Sequence, residues 1–146
     1  MITFSRAVPE QLLRWSQAAS PHEACGLLFG ETSENHFVVK RALLAKQTKG
    51  SVNSFVIPPT LLLTHAEDPS WIGLWHSHPN GPPALSEEDR QGAEAWPRLL
   101  QCLVLPPGTI LLFSPLTEGL SPLPWCPERS PRLPLRGSTG VVGLCP

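Results

Sequence analysis

The chain has 146 residues, 41% of them hydrophobic, which is the length of one ordinary domain with a single core. Eleven Lys plus Arg against twelve Asp plus Glu leave a formal charge of −1, so no excess of positive charge can neutralise a phosphate backbone, and nucleic acid is not an expected partner. Charged residues are only 16% and prolines number 18, more than twice their usual share of ~5%, a composition that favours strands and loops.

Met1 to Pro9 has no long apolar core behind a basic start, so it does not read as a secretory signal and a cytoplasmic location is expected. From Pro9 to Ala19, Leu12, Leu13, Trp15 and Ala19 fall on one face of a short helix that Pro21 closes. Glu23 to Gly30 is apolar, short and bounded by Pro21 and Gly30, which predicts a buried strand with Glu23 at its entrance. His36 to Ala45 and Asn53 to Ile57 read as strands two and three. Pro58 to Ala66 opens on proline and carries Leu61, Leu62 and Leu63, a helix; Trp71 to His78 returns to strand composition. Ser86 stands at a helix N-cap with Glu87, Glu88 and Asp89 in the first turn, and Pro97 limits that helix. Leu99 to Leu105 and Ile110 to Phe113 read as two closing strands about a turn at 106–109.

The longest apolar stretch, Leu99 to Phe113, is broken by Gln101, Pro106, Pro107 and Gly108 and is shorter than the ~20 residues of a membrane helix, so no membrane span is expected. Residues 115–146 hold seven prolines with scattered leucines and Trp125, without a period of either kind. They are expected to be an extension packed on a 1–114 domain or partly disordered, with packing favoured because it would cover Leu116, Leu120, Leu123, Trp125, Leu133 and Leu135. Cys25, Cys102, Cys126 and Cys145 contain no C-x-x-C pair, and buried free thiols are expected of all four.

The chemistry concentrates in Trp75-His76-Ser77-His78-Pro79, followed by Ser86 and Asp89. Residues two apart on a strand face the same side, so His76 and His78 can present both imidazoles to one point. A catalytic zinc takes three protein ligands and keeps a fourth position for water; Asp89, in the first turn of the next helix, can be the third ligand. Attack on an amide also needs a group that takes the proton of water and hands it to the leaving amine. Glu23 is the candidate, because a lone carboxylate in an apolar segment is costly without a role. Ser86 can donate its hydroxyl to an oxyanion. Each feature also has a plainer reading: His-x-His as structural, Ser86-x-x-Asp89 as a helix cap, Glu23 as a surface residue, Trp75 as core or cleft lining. Cys25, two residues from Glu23, is a conceivable alternative nucleophile.

Glu23 upstream, His76-Ser77-His78-Pro79, the seven residues Pro79 to Leu85, and Ser86-Glu87-Glu88-Asp89 together resemble the motif of the JAMM (JAB, MPN-plus) zinc metallopeptidases. The resemblance extends from about Pro9 to Phe113. It implies an α/β fold with a mixed sheet flanked by helices, similar to cytidine deaminases, whose own Pro-Cys-x-x-Cys ligand pair is absent here. It further implies one zinc per chain on His76, His78 and Asp89, with Glu23 as general acid/base and Ser86 assisting the tetrahedral intermediate. Members cut the bond after the C-terminal glycine of ubiquitin or a ubiquitin-like protein. The short chain points to a prokaryotic ubiquitin-like protein, whose tail would bind as an extended strand. Trimming of a sulfur-carrier protein in cysteine or cofactor biosynthesis is the second enzymatic reading, and a non-catalytic scaffold or binding module the third. Conjugation-pathway enzymes would be further partners.

Overall fold

The computed structural model describes residues 1–34, 36–46, 56–115 and 120–128. Its elements, in chain order, are β1 (Ile2–Phe4), α1 (Ala7–Ala19), β2 (Cys25–Ser33), β3 (His36–Leu44), α2 (Pro59–His65), β4 (Trp71–Ser77), α3 (Glu87–Ala95), β5 (Leu100–Leu105), β6 (Thr109–Phe113) and β7 (Trp125–Pro127). The strands make one mixed sheet in the order β6-β5-β4-β2-β3-β1-β7. Pairing is antiparallel at β2/β3, β2/β4 and β5/β6, and parallel at β4/β5, β1/β3 and β1/β7.

Each face of this sheet is covered by a helix because each presents a separate apolar set. On one side Val8 and Leu12 of α1 pack on Phe4, Leu28, Val39, Trp75, Leu100 and Val104, and fully burying one such side chain is worth ~1.5–3 kcal/mol. Pro9 is tolerated inside α1 because it lies in the first turn, where its missing N–H has no intrahelical partner to lose. Buried Ser16 donates its hydroxyl to the Leu12 carbonyl at 2.7 Å, so the α1 face carries no unsatisfied hydroxyl. On the other side Leu27, Phe29, Trp71 and Leu99 meet Leu61 and Leu62 of α2.

Trp75 belongs to the core. It has no exposed surface, it stacks on Trp15 with ring centroids 5.8 Å apart, and its indole N–H donates to the Leu43 carbonyl at 3.0 Å. That bond crosses over Gly26, where a Cβ would run into both the Leu43 carbonyl and the indole nitrogen. Only glycine permits the approach.

The structure departs from the sequence expectations in five places. β1 and β7 were not foreseen; each is three residues long, too short for a period to show, and both owe their existence to long-range pairing. β2 starts at Cys25 and runs past Gly30 to Ser33, because a register shift between Phe29 and Gly30 absorbs the glycine as an irregularity and lets the β3 hairpin continue. Of the expected strand Asn53 to Ile57, residues 53–55 lie outside the described residues, while Val56 and Ile57 belong to no strand. Cys126 is disulfide-bonded rather than a free thiol, whereas Cys25 and Cys102 are free and buried. Burial pushes the Cys102 thiol well above its ordinary value, so it stays protonated. Among the described residues no helix is long and apolar enough to cross a membrane.

Candidate metal centre

β4 brings the two histidines together. Leu74 and His76 share one face of the strand, with Gly73 and Trp75 on the other. The strand ends at Ser77, but the His78 N–H donates to the Val104 carbonyl of β5 at 3.0 Å, which carries the strand geometry one residue further and returns His78 to the His76 side. Both are buried, at 3% and 7% exposure.

Asp89 arrives from the opposite direction, in the first turn of α3. Ser86 is the N-cap: its hydroxyl accepts from the Asp89 N–H at 3.1 Å, and Asp89 Oδ2 accepts from the Ser86 N–H at 2.8 Å, a reciprocal capping box. The same Oδ2 faces both imidazoles. It lies 3.2 Å from His76 Nε2 and 3.3 Å from His78 Nε2, and the two Nε2 atoms are 3.2 Å apart. These three residues form a group that could hold a metal ion. Ligand atoms at ~2.0–2.1 Å from one ion and at tetrahedral angles are about 3.3–3.4 Å apart, so the triangle fits a small tetrahedral cation, and a His₂-carboxylate set suits zinc chemically. His78 is prepared for that role, since its Nδ1 lies 3.1 Å from the Pro82 carbonyl. An Nδ1–H donated there leaves the Nε2 lone pair directed at the centre.

Glu23 precedes β2 rather than lying in it, while Cys25, the first residue of β2, pairs with His76. The Glu23 carboxylate stands at the rim of the triangle, Oε1 3.7 Å from His78 Nε2, with its side chain only 10% exposed. The sequence reading missed the residue that places it. Ser77, fully buried, accepts the Ala24 N–H on its hydroxyl at 2.8 Å and donates its own N–H to the Ala24 carbonyl at 2.9 Å. The residue after Glu23 is thereby strapped to the residue between the two histidines.

Burial is the main reason the Glu23 carboxyl is raised above its ordinary value; the Asp89 and Glu88 charges add to this and His78 opposes it. Burial also depresses His76 and so favours the neutral, ligating imidazole. His78 is raised, chiefly by its hydrogen bond to Asp89. For Asp89 burial works upward, but the hydrogen bonds and charges of His76 and His78 and the Ser86 N–H overcome it and hold the carboxyl far below the carboxylate range. The centre opens into a cleft of about 620 Å³ bordered by Glu23, Ser86, Leu62, Leu74, Trp96 and Gln101.

The five residues singled out in the sequence, His76, His78, Asp89, Glu23 and Ser86, all border this one cleft. Ser77 and Gln101 escaped notice, although Gln101 was visible as the polar interruption of the apolar run from Leu99.

Residues 5–112 match the family described as prokaryotic homologs of the JAB domain. No curated protein matches the chain. Among solved structures, protein DSY2949 from Desulfitobacterium hafniense is 26% identical, with a TM-score of 0.74 over 89% of this chain and 94% of its own. AF2198, a JAB1/MPN domain protein from Archaeoglobus fulgidus, is 18% identical, with a TM-score of 0.59 over 87% of this chain and 99% of its own. A structure described as JAMM, a metalloprotease-like zinc site in the proteasome and signalosome, is 17% identical with a TM-score of 0.57 over 88% and 99% of the two chains.

Proposed function

Since this chain belongs to the family of prokaryotic JAB-domain homologues, we propose that it is a zinc-dependent peptidase or isopeptidase acting on the bond after the C-terminal glycine of a ubiquitin-like protein. The observation that carries this reading is the triangle of His76, His78 and Asp89 with the buried Glu23 carboxylate 3.7 Å from one of its members. Zinc held by those three residues would supply Lewis acidity to the attacking water and the scissile carbonyl.

The chain's own groups account for the remaining chemistry. Glu23, raised by burial, takes a proton as water adds to the carbonyl carbon. It returns that proton to the nitrogen as the C–N bond breaks, leaving a carboxylic acid and an amine. Ser86 accepts from the Asp89 N–H, so its own hydroxyl hydrogen remains available for the oxyanion of the tetrahedral intermediate. The apolar cleft walls exclude water from an extended tail.

Zinc per chain should be measured in purified protein and in His76→Ala, and cleavage of glycine-tailed ubiquitin-like proteins followed by mass spectrometry. One zinc, lost in the variant, with cleavage after the terminal glycine supports the reading. Zinc without turnover on any such tail would favour a non-catalytic module. Removal of residues from a sulfur-carrier tail, with no action on isopeptide conjugates, would move the substrate to a biosynthetic carrier.

A further inference from the structure

Two residues bordering the cleft make no sense as parts of a free-standing fold. Gln101 is the second residue of β5, whose other residues, Leu100 and Cys102 to Leu105, are all apolar. It is 6% exposed, and its Nε2 is a buried donor with no hydrogen-bond partner. Such a group costs stability as long as it stays unpaired. Gly92 lies inside α3, where glycine is destabilising relative to alanine. A Cβ added there would meet nothing within 4 Å, so neither packing nor backbone conformation asks for the glycine.

Both residues border the same cleft, and the sheet register says where. Gln101 pairs with Leu74 on β4, and Leu74 is one same-face step before His76. Successive same-face positions of a strand are about 6.5 Å apart, the length of roughly two residues of extended chain. The Leu74–Gln101 row is therefore the floor of the cleft about two substrate residues away from the metal-ligand row. Gly92 and Trp96 of the α3 segment and Leu62 of α2 border the same cleft.

We propose that Gln101 is a substrate-positioning residue whose carboxamide hydrogen-bonds the main chain of an extended peptide about two residues from the scissile bond, along a track that Gly92 keeps open beside α3. This rests on the amide-hydrolase reading above and adds to it the recognition of main chain rather than side chain. The terminal torsion of glutamine is broad and two-fold, so the carboxamide can offer its N–H to a peptide carbonyl or its oxygen to a peptide N–H. A floor of that kind holds glycine-rich tails, which offer a recognition site little else.

The test uses the zinc-loaded full chain and, as probe, an Ala-Ala-Ala-Gly-Gly peptide amide-linked to an aminocoumarin, together with competing peptides in which one carbonyl at a time is reduced to methylene. Gln101→Leu should raise KM about three- to tenfold, the range of one neutral hydrogen bond, with kcat within about twofold. The Tm of its metal-free form should equal or exceed that of wild type, because an unpaired buried amide has been removed. One reduced carbonyl should weaken binding to wild type by a similar factor and leave binding to Gln101→Leu unchanged. Gly92→Ala should raise both Tm and KM. A normal KM in Gln101→Leu, or additive losses for every reduced carbonyl, would overturn the assignment while the hydrolase reading stands. No hydrolysis of the probe and no binding of any competing peptide by wild type would overturn both.

Discussion

Ser77→Ala tests how Glu23 is held. The hydroxyl of Ser77 is the acceptor for the Ala24 N–H at 2.8 Å, and Ala24 and Ser77 are 2% and 0% exposed, so water cannot replace it. The substitution leaves a buried N–H without a partner, which costs about 1–3 kcal/mol; the lost oxygen is too small for a cavity contribution to dominate. For a chain of this length each kcal/mol corresponds to a Tm change of about 2–4 °C. The metal-free variant should therefore melt about 2–12 °C below wild type, with an unchanged urea m-value. Its zinc stoichiometry should persist, since the Ser77 side chain faces away from the triangle. Turnover should fall more than KM rises, because Glu23 is the adjacent residue and a loosened base loses proton-transfer geometry. The measurements are urea and thermal unfolding after chelation, followed by zinc analysis and steady-state kinetics. A variant within 0.5 kcal/mol of wild type by the same ~1 kcal/mol yardstick, with normal turnover, would refute the claim that this strap organises the base.

Glu23→Gln should retain zinc and lose about 10²–10⁴ in turnover, the usual worth of a general acid/base, as read by single-substrate kinetics. In the metal-free protein the same variant should be more stable than wild type at pH 7. Glu23 is raised in the fold, so its ionised form costs stability above its folded pKa; the advantage of glutamine should vanish as pH falls below the ordinary carboxyl value of about 4.3. Asp89 has the opposite sign. Its carboxyl is depressed, so its contribution is present above about pH 4 and is lost as pH falls further; acid titration of metal-free Asp89→Asn should lack that component of the transition. Ser86 separates capping from catalysis: Ser86→Ala should cost about 1 kcal/mol of stability as well as turnover, whereas Ser86→Asp should restore the cap but not the rate, having no hydroxyl to donate. Recovery of turnover in Ser86→Asp would remove the hydroxyl from the mechanism.

What could be read in advance was local. His76 and His78 are joined by the two-residue period of a strand, and Ser86 and Asp89 by the three-residue span of a capping box, so both halves of the centre announce themselves within four residues of sequence. Glu23 was legible only as a carboxylate out of place in an apolar run. Its actual fastening to Ser77 links positions 53 apart from Ala24, and nothing in a hydroxyl between two histidines advertises that partner. β1 and β7 failed to show for the same reason: Ile2-Thr3-Phe4 and Trp125-Cys126-Pro127 become strands by pairing with each other and with β3, not by their own pattern. Gln101 did leave a signal, a polar residue inside an apolar strand, but it registered only as an interruption of hydrophobicity.

The pairing of β1 with both β3 and β7 also orders the assembly of the molecule in time. Ser5 and Glu128 share a hydrogen bond across a sequence separation of 123 residues, and the Glu128 N–H donates to the Phe4 carbonyl, so one end of the sheet closes only once residue 128 is available. The parts that make the cleft, from Glu23 to Gln101, emerge from synthesis well before that. On the ribosome the half that forms the cleft can therefore assemble around β2, β4 and β5 while β1, made before them, has one long edge still open. Contacts of such sequence separation form late because the loop they close is long, and an open strand edge invites pairing with another chain. The β1 residues, made before the strands of the cleft, are thus secured after them, and the interval between those two events is when the nascent protein has most need of protection.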